Sequence, residues 1–138
     1  MQIKQISIFL ENNAGRLADV TGVMAKAGIN IRAISIADTA DFGILRVIAD
    51  KPDLAMEVLT KAGFTTRATD VLAVEIPDQP GSLAKVMDLF RDTGVNIEYL
   101  YASLEGKLNK AIVIFKVEDL AHGLKIVQDH NLSILESF

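Results

Sequence analysis

The sequence predicts an α+β fold made of two βαββαβ modules in tandem. The prediction rests on two observations: the 138-residue chain repeats itself, and apolar residues change from a period of two to a period near 3.6 at matching points of each repeat. Such a pattern suits the ferredoxin-like arrangement, an antiparallel sheet with both helices on one face. We place the modules at residues 1–70 and 71–138 and expect them to pair side by side.

An internal repeat is seen when Gly15 is aligned with Gly81. The same alignment matches apolar, glycine and asparagine positions through both halves. Without a gap, it also sets residues 53–55 on residues 119–121, which read Asp-Leu-Ala in both copies. We therefore predict equal lengths of helix, strand and loop in the two modules.

The elements of the first module follow from local signals. Gly28 stands where a helix C-cap requires positive φ, and Pro52 suits the first turn of a helix. β-Branched runs mark the strands, and apolar residues at helical spacing mark the helices. The predicted order is a strand at 3–10, a helix from about Leu17 to Ala27, strands at 29–36 and 43–49, a helix from Pro52 to Gly63 and a weak strand at 64–69.

The second module repeats this order. Its predicted strands are at 71–76, 95–102, 110–117 and 132–135, and its helices carry Leu83 to Phe90 and begin again at Leu120.

The second strand of each module has apolar residues on both faces. By simple alternation, Ile31 and Ala33 oppose Ile34 and Ile36, whereas Ile97, Tyr99 and Tyr101 oppose Leu100 and Ala102. A sheet covered by helices on one side only should alternate apolar with polar residues. We therefore expect the second face to be buried by another sheet or another chain, and the tyrosines to serve the core or an interface.

Composition excludes several classes of function. The formal net charge is −4 with both signs mixed along the chain, so no basic stripe suits nucleic acid. The chain has no cysteine, which excludes disulfides and thiolate zinc sites. Its apolar runs are too short to span a bilayer, and its N-terminus enters a strand pattern rather than a signal peptide. We expect a cytoplasmic protein with no nucleic-acid or membrane partner.

Two loops, at 11–17 and 77–83, each join a first strand to a first helix. Free N–H groups and the helix dipole favour an anion at such a place by about 0.3–1 kcal/mol per exposed charge. A glycine in each loop lets a carboxylate approach the backbone. The alternative is that Asn12 and Asp78 are turn or N-cap residues and that the glycines only relieve strain.

Asn30 and Asn96 occupy the same place in the two copies, each inside a β-branched run. Asparagine is a poor strand former, so its amide is expected to serve hydrogen bonding to a ligand. The alternative, with similar weight, is that it caps the turn between helix and strand.

These features together resemble the ACT-domain family. The loop Asp-Gln-Pro-Gly-Ser-Leu at 78–83 and the runs Gly-Ile-Asn-Ile at 28–31 and Gly-Val-Asn-Ile at 94–97 carry the resemblance. The first loop departs from the pattern, with Asn12 for aspartate and Ala14 for proline.

The resemblance implies a regulatory module that binds amino acids between paired modules, as in the regulatory regions of phosphoglycerate dehydrogenase and aspartate kinase. It implies the ligand-binding residues Asn12, Asn13, Ala14, Gly15, Arg16, Leu17, Asn30, Asp78, Gln79, Pro80, Gly81, Ser82, Leu83 and Asn96. The expected partners are a free amino acid and either a second copy in a homodimer or a metabolic enzyme.

Two other functions were weighed. An acylphosphatase-like enzyme would use Arg16 and Asn30, but these lie at opposite ends of a module's sheet, and the second copy has Ser82 in place of the arginine. His122 and His130 are interpreted as surface residues because no cluster completes a metal site. We therefore predict no catalysis, cofactor or metal. The remaining alternative is a regulatory subunit that acts on an enzyme without binding a ligand.

The arrangement of strands leads to two geometric predictions. The modules should pair through their second strands, which brings Asn12 to Asn96 and Asp78 to Asn30. Because almost no linker separates 64–69 from 71–76, we expect the chain to turn near Asp70, so that these two segments pair and 132–135 returns to 3–10. The alternative keeps each strand in its own module and forms the side-by-side pair between two chains.

Overall fold

The computed structural model describes residues 3–38, 41–104 and 106–138. The chain divides into two compact units: one contains Lys4–Thr69 with Phe138, the other Asp70–Ser137 with Ile3. They are called the first and second modules below and are described separately.

The first module has an antiparallel sheet in which β3 pairs with both β1 and β2. The strand order is β2-β3-β1-β4, as expected of a ferredoxin-like module. Its elements are β1 (Ile3–Glu11), α1 (Arg16–Lys26), β2 (Ile31–Asp38), β3 (Phe42–Ala49), α2 (Pro52–Lys61) and the first part of β4 (Thr65–Pro77).

The second module has the order β5-β6-β4-β7, and all three neighbouring pairs are antiparallel. The α+β class and the twofold βαββαβ pattern predicted from the sequence are thus confirmed. Its elements are the remainder of β4, α3 (Ser82–Thr93), β5 (Ile97–Ala102), β6 (Lys110–Val117), α4 (Leu120–Asp129) and β7 (Ser133–Ile134).

The predicted exchange of strands is wrong. Strand β4 runs without a turn from Thr65 to Pro77. Strand β7 pairs with β4 through Val74 and Ile134, not with β1. The Leu135 N–H also donates to the Ala73 carbonyl at 2.9 Å. The exchange was inferred because a short linker could not cross several strands, but one continuous strand needs no linker. The last strand therefore stays in the second module.

The prediction of equal loop lengths is also wrong. Asp119 is the N-cap of α4, and its counterpart is Lys51, the N-cap of α2, rather than Asp53. Likewise, Asn131 (φ 55°) follows α4 where Gly63 (φ 90°) follows α2. Between its second strand and its second helix, the second module therefore contains two more residues than the first. The added length falls between the second and third strands, in a connection where insertions are tolerated.

Each module has a core between its sheet and its two helices. In the first, Val20 and Met24 of α1 and Leu59 of α2 are at most 1% exposed. They pack against strand residues of β1 and β3. In the second, the rings of Phe90 and Phe115 meet edge to face with centroids 5.4 Å apart. The apolar helix positions Val20, Met24, Leu59 and Phe90 are therefore core positions, whereas Leu17, Leu54 and Leu83 are 42%, 36% and 38% exposed.

The faces turned away from the helices are buried as well, in agreement with the prediction. Ile48, Ala73 and Ile114 are at most 1% exposed, and they lie outside both helix-side cores. Buried residues thus occur on both faces of each sheet, although Ile36 of β2 and Leu100 of β5 are 54% and 41% exposed.

A β-bulge interrupts the alternation of β2 and β5 at matching places. The register shifts between Ile31 and Ala33 in β2 and between Ile97 and Tyr99 in β5. Because a bulge adds one residue to a strand, it reverses the faces beyond it. Ile31 and Ile97 therefore pack against the helix-side cores, and the prediction that they share a face with Ala33 and Tyr99 is wrong.

Candidate ligand-binding site

The two strand-to-helix loops have the same backbone conformation. Gly15 and Gly81 are the N-caps of α1 and α3, each with φ 88°, and neither helix start has a side-chain cap. Left-handed backbone of this kind is costly for residues other than glycine. The alternative in which Asn12 and Asp78 are N-caps is therefore wrong.

Asn12 and Asp78 instead hold the loops to the neighbouring turns. The Asn12 N–H donates to the Asp41 carbonyl at 3.0 Å, and the Asp78 N–H donates to the Asn109 carbonyl at 2.9 Å. Each loop is thereby tied to the connection between the second and third strands. The turn interpretation of these two residues agrees with this geometry.

A cleft of about 200 Å³ lies beside the first loop. Four of the predicted residues line it, Asn12, Asn13, Arg16 and Leu17, together with Leu10, Glu11, Ile36 and Gly43. Its rim is apolar, since Leu17 is 42% and Ile36 54% exposed. Ile36 and Gly43 were missed because they are distant in sequence and reach the loop only through strand pairing.

Arg16 is engaged by its own module. Its Cζ lies 4.6 Å from the centre of the Phe64 ring, and Nη1 lies 3.5 Å from Asp19 Oδ2. Its side chain is 35% exposed. The guanidinium thus contacts Phe64 and Asp19, although Arg16 also lines the cleft beside the first loop. An open groove of about 410 Å³ follows this side of the helix, lined by Arg16, Ala18, Asp19, Gly22, Val23, Lys26, Ala62 and Phe64.

A second cleft, of about 170 Å³, lies in the second module beside α3 and is called the α3 cleft below. It contains two predicted residues, Gln79 and Ser82, and Ser82 is only 8% exposed. The other lining residues were missed, although Ser82, Lys85, Val86 and Leu89 recur at helical spacing, which could have indicated one face. The remaining lining residues are Glu75, Ile76, Pro77, Lys85, Val86, Leu89 and Leu132.

The other predicted loop residues are exposed and line none of these three clefts. They are Ala14, Gly15, Asp78, Pro80, Gly81 and Leu83.

Asn30 and Asn96 lie at the end of the sheet opposite to the loops. In the first module Glu11 pairs with Phe42, whereas Ile31 pairs with Ala49 at the far end of β3. In the second module Ile97 pairs with Val117 at the corresponding end. Within a module, the structure therefore keeps the asparagine and the loop apart, which also separates Arg16 from Asn30 as the sequence indicated.

Both asparagines bind the segment before the next helix. The Asn30 N–H donates to Asp50 Oδ1 at 2.9 Å, and Asn96 Nδ2 donates to Glu118 Oε2 at 3.0 Å. Their carbonyls accept from the N–H groups of Asp50 and Glu118 at 3.0 and 2.9 Å. These contacts join each asparagine to the connection between the third strand and the next helix, and Asn30 makes them through its backbone.

The histidines differ from one another. His130 is exposed at the end of α4, but His122 is half-buried, and its Nε2 lies 2.8 Å from the Thr93 carbonyl oxygen. His122 is thus a partly buried surface residue whose ring contacts the end of α3. Among residues 3–38, 41–104 and 106–138, no three His, Asp or Glu side chains are grouped to hold a metal. None of the helices in these ranges is long and apolar enough to cross a membrane.

Known proteins share this fold over the whole chain. A protein of Bacteroides thetaiotaomicron, BT0572, is 41% identical with a TM-score of 0.92, covering 98% of this chain and 92% of its own. The regulatory subunit of aspartate kinase from Thermus thermophilus, in a ligand-free form, is 21% identical with a TM-score of 0.68, covering 94% and 93%. The corresponding subunit from Thermus flavus is 20% identical with a TM-score of 0.65, covering 94% and 92%.

No curated protein matches the chain. The family model of the ACT domain pair matches residues 1–137. Its match spans both βαββαβ modules, both helix-opening loops and both asparagines. This chain therefore belongs to the ACT domain pair family.

Proposed function

We propose that this chain is a non-catalytic cytoplasmic regulatory protein that binds a free amino acid where ACT modules pair. The observation that carries the proposal is the shared geometry of the two loops. Gly15 and Gly81 open α1 and α3 with left-handed backbone and no side-chain cap. The N–H groups of Arg16 and Ser82 donate to the carbonyls of Asn13 and Gln79. The other first-turn N–H groups are then available to a ligand carboxylate, which the helix dipole also favours.

The pairing of modules would supply the remaining ligand contacts. Strands β2 and β5 stand at the ends of their strand orders, so each offers an edge to another module. In an antiparallel pair, the loop of one module lies beside the asparagine of the other, Asn12 with Asn96 and Asp78 with Asn30. Amide and carboxylate oxygens there can accept hydrogen bonds from the ammonium group.

A homodimer is the form of pairing that we favour. The last strand stays in its own module, because Ile134 of β7 pairs with Val74. The alternative to strand exchange that was drawn from the sequence keeps every strand in its own module and forms the side-by-side pair between two chains. Regulation then consists of coupling ligand binding to an enzyme that this dimer contacts, for which about 1–3 kcal/mol suffices. The aspartate kinase subunits of similar fold are themselves regulatory.

A second candidate is a subunit that regulates an enzyme without binding a ligand. Exposed apolar residues near the first loop favour it, since Ile36 is 54% and Phe42 56% exposed. Such residues commonly mark a protein interface. Titration calorimetry with the common amino acids at millimolar concentration separates the two candidates, because the second predicts no heat of binding.

The loop geometry can be tested with three glycine variants of the full chain. Gly15→Ala and Gly81→Ala place a Cβ where φ is 88°, at a cost of about 1–2 kcal/mol in backbone strain. We expect each to weaken amino-acid binding by about tenfold. Gly22→Ala is the matched control, because Gly22 lies within α1 with open space around it. Equal binding by all three variants would refute the role of the loops.

A further inference from the structure

We propose that the α3 cleft of the second module is itself a ligand site, and that it takes a small aliphatic carboxylate such as a branched amino acid or its oxo-acid analogue. The inference rests on the proposed function in one respect, that the natural ligand is a free amino acid. It goes further by assigning a site inside one module and by naming the chemistry of the ligand.

The wall of the cleft selects an aliphatic body. Ile76 and Val86 are buried at 6% and 3% exposure, and Leu89 and Leu132 complete the lining with partly exposed side chains. The volume is about 170 Å³. An apolar cavity of about 150 Å³ admits benzene, so this cleft suits a ligand of about six to nine non-hydrogen atoms. Leucine and valine fall in this range.

The polar end of the cleft selects a carboxylate. Ser82 is more than nine-tenths buried, and no hydrogen bond joins its hydroxyl to any residue in the described ranges. A hydroxyl that lines a cleft and has no bond to the chain can donate to a ligand carboxylate. Ser82 is also the first residue of α3, which begins without a side-chain cap. Lys85, one turn later, adds a positive charge at the rim.

In the first module, the position that corresponds to the α3 cleft is filled by side chains of the module itself. At the positions of the serine, lysine and leucine of the α3 cleft it carries Arg16, Asp19 and Phe64. There the guanidinium lies 4.6 Å from the ring centre and 3.5 Å from the carboxylate. The first module thus provides its own carboxylate for the cation at this place. In the second, the one carboxylate of the lining, Glu75, lies 3.6 Å from Lys107 Nζ. Lys85 then has no such partner in the lining, and an external carboxylate supplies it.

The test compares two arginine variants of the full chain by titration calorimetry with L-leucine and 4-methylpentanoate. Ser82→Arg puts into the α3 cleft the side chain that the first module carries there. Ala84→Arg is the matched control, because it adds the same charge to the same helix turn at an exposed position outside the cleft. We expect Ser82→Arg to raise the Kd by about tenfold or more, and Ala84→Arg to leave it within about threefold of the wild type.

The outcomes separate this inference from the proposed function. If Ser82→Arg binds leucine as tightly as the wild type, the α3 cleft is overturned and amino-acid binding stands. If 4-methylpentanoate binds and Ser82→Arg abolishes it while no amino acid binds, the cleft stands and the proposed function falls. If nothing binds at millimolar concentration, both fall.

A measurement on the wild type decides the case if Ser82→Arg does not fold. Methyl NMR should then show ligand-induced shifts at Val86, Leu89 and Leu132. Shifts confined to other methyl groups would refute the site.

Discussion

The contact between α4 and the sheet of the second module depends on the absence of a side chain. A Cβ added at Gly123 would lie 3.0 Å from Val117 Cγ2 and 3.2 Å from Leu72 Cδ1. The first module has Ala55 and Ala49 at the positions of Gly123 and Val117, and both are buried. The two modules thus place the larger residue on opposite sides of the same contact. We expect Gly123→Ala to destabilise the chain.

The magnitude follows from two opposed terms. Alanine in a helix interior is favoured over glycine by about 1 kcal/mol. Overpacking a filled core costs about 1–3 kcal/mol, and the upper part of that range applies because Val117 is 1% exposed and its branched side chain is stiff. The expected net loss is about 1 kcal/mol. At Gly22, where nothing lies within 4 Å, only the favourable term remains, and Gly22→Ala should gain about 1 kcal/mol.

A double-mutant cycle with Val117→Ala isolates the contact, since this change rebuilds the alanine pair of the first module. The loss from Val117→Ala should be smaller by about 1–2 kcal/mol in the Gly123→Ala background than in the wild type. Urea unfolding of the four proteins measures the free energies. Additive effects, or a Gly123→Ala variant as stable as Gly22→Ala, would refute the reasoning.

Two further predictions concern single contacts. Phe64→Leu should remove the ring beneath Arg16 and lower the free energy of unfolding of the first module by about 0.5–1 kcal/mol beyond the lost apolar contact. The drop in thermal midpoint caused by Phe64→Leu should therefore be larger in the wild type than in the Arg16→Ala background. Equal drops in the two backgrounds would contradict the coupling. Asp119→Ala removes the carboxylate that accepts the His122 N–H at 3.1 Å, and should cost about 1 kcal/mol. Asp119→Asn, which keeps an acceptor, should lose much less in the same urea assay.

Short-range signals in the sequence were enough to determine the class of fold and the order of its elements. The left-handed glycines before α1 and α3, the proline at the start of α2 and the apolar helix faces all act over a few residues. They depend on backbone conformation and on side-chain period, which a sequence expresses directly. The candidate loops were identified for the same reason, and their identical φ of 88° confirms that the repeat extends to the backbone.

Tertiary structure decided what depends on the pairing of distant segments. The bulges in β2 and β5 arise between strands, so simple alternation assigned Ile31 and Ile97 to the wrong face. The continuity of β4 through Asp70 could not be distinguished from a turn, because a β-branched run permits both.

The α3 cleft shows the same limit at the candidate site. Ser82 and Leu132 meet there although fifty positions separate them. The sequence by itself identified Ser82 as a loop residue with a family counterpart. Only the packing of α3 against the turn after α4 gave it an apolar wall, because burial and shape are properties of contacts between elements and not of any one segment.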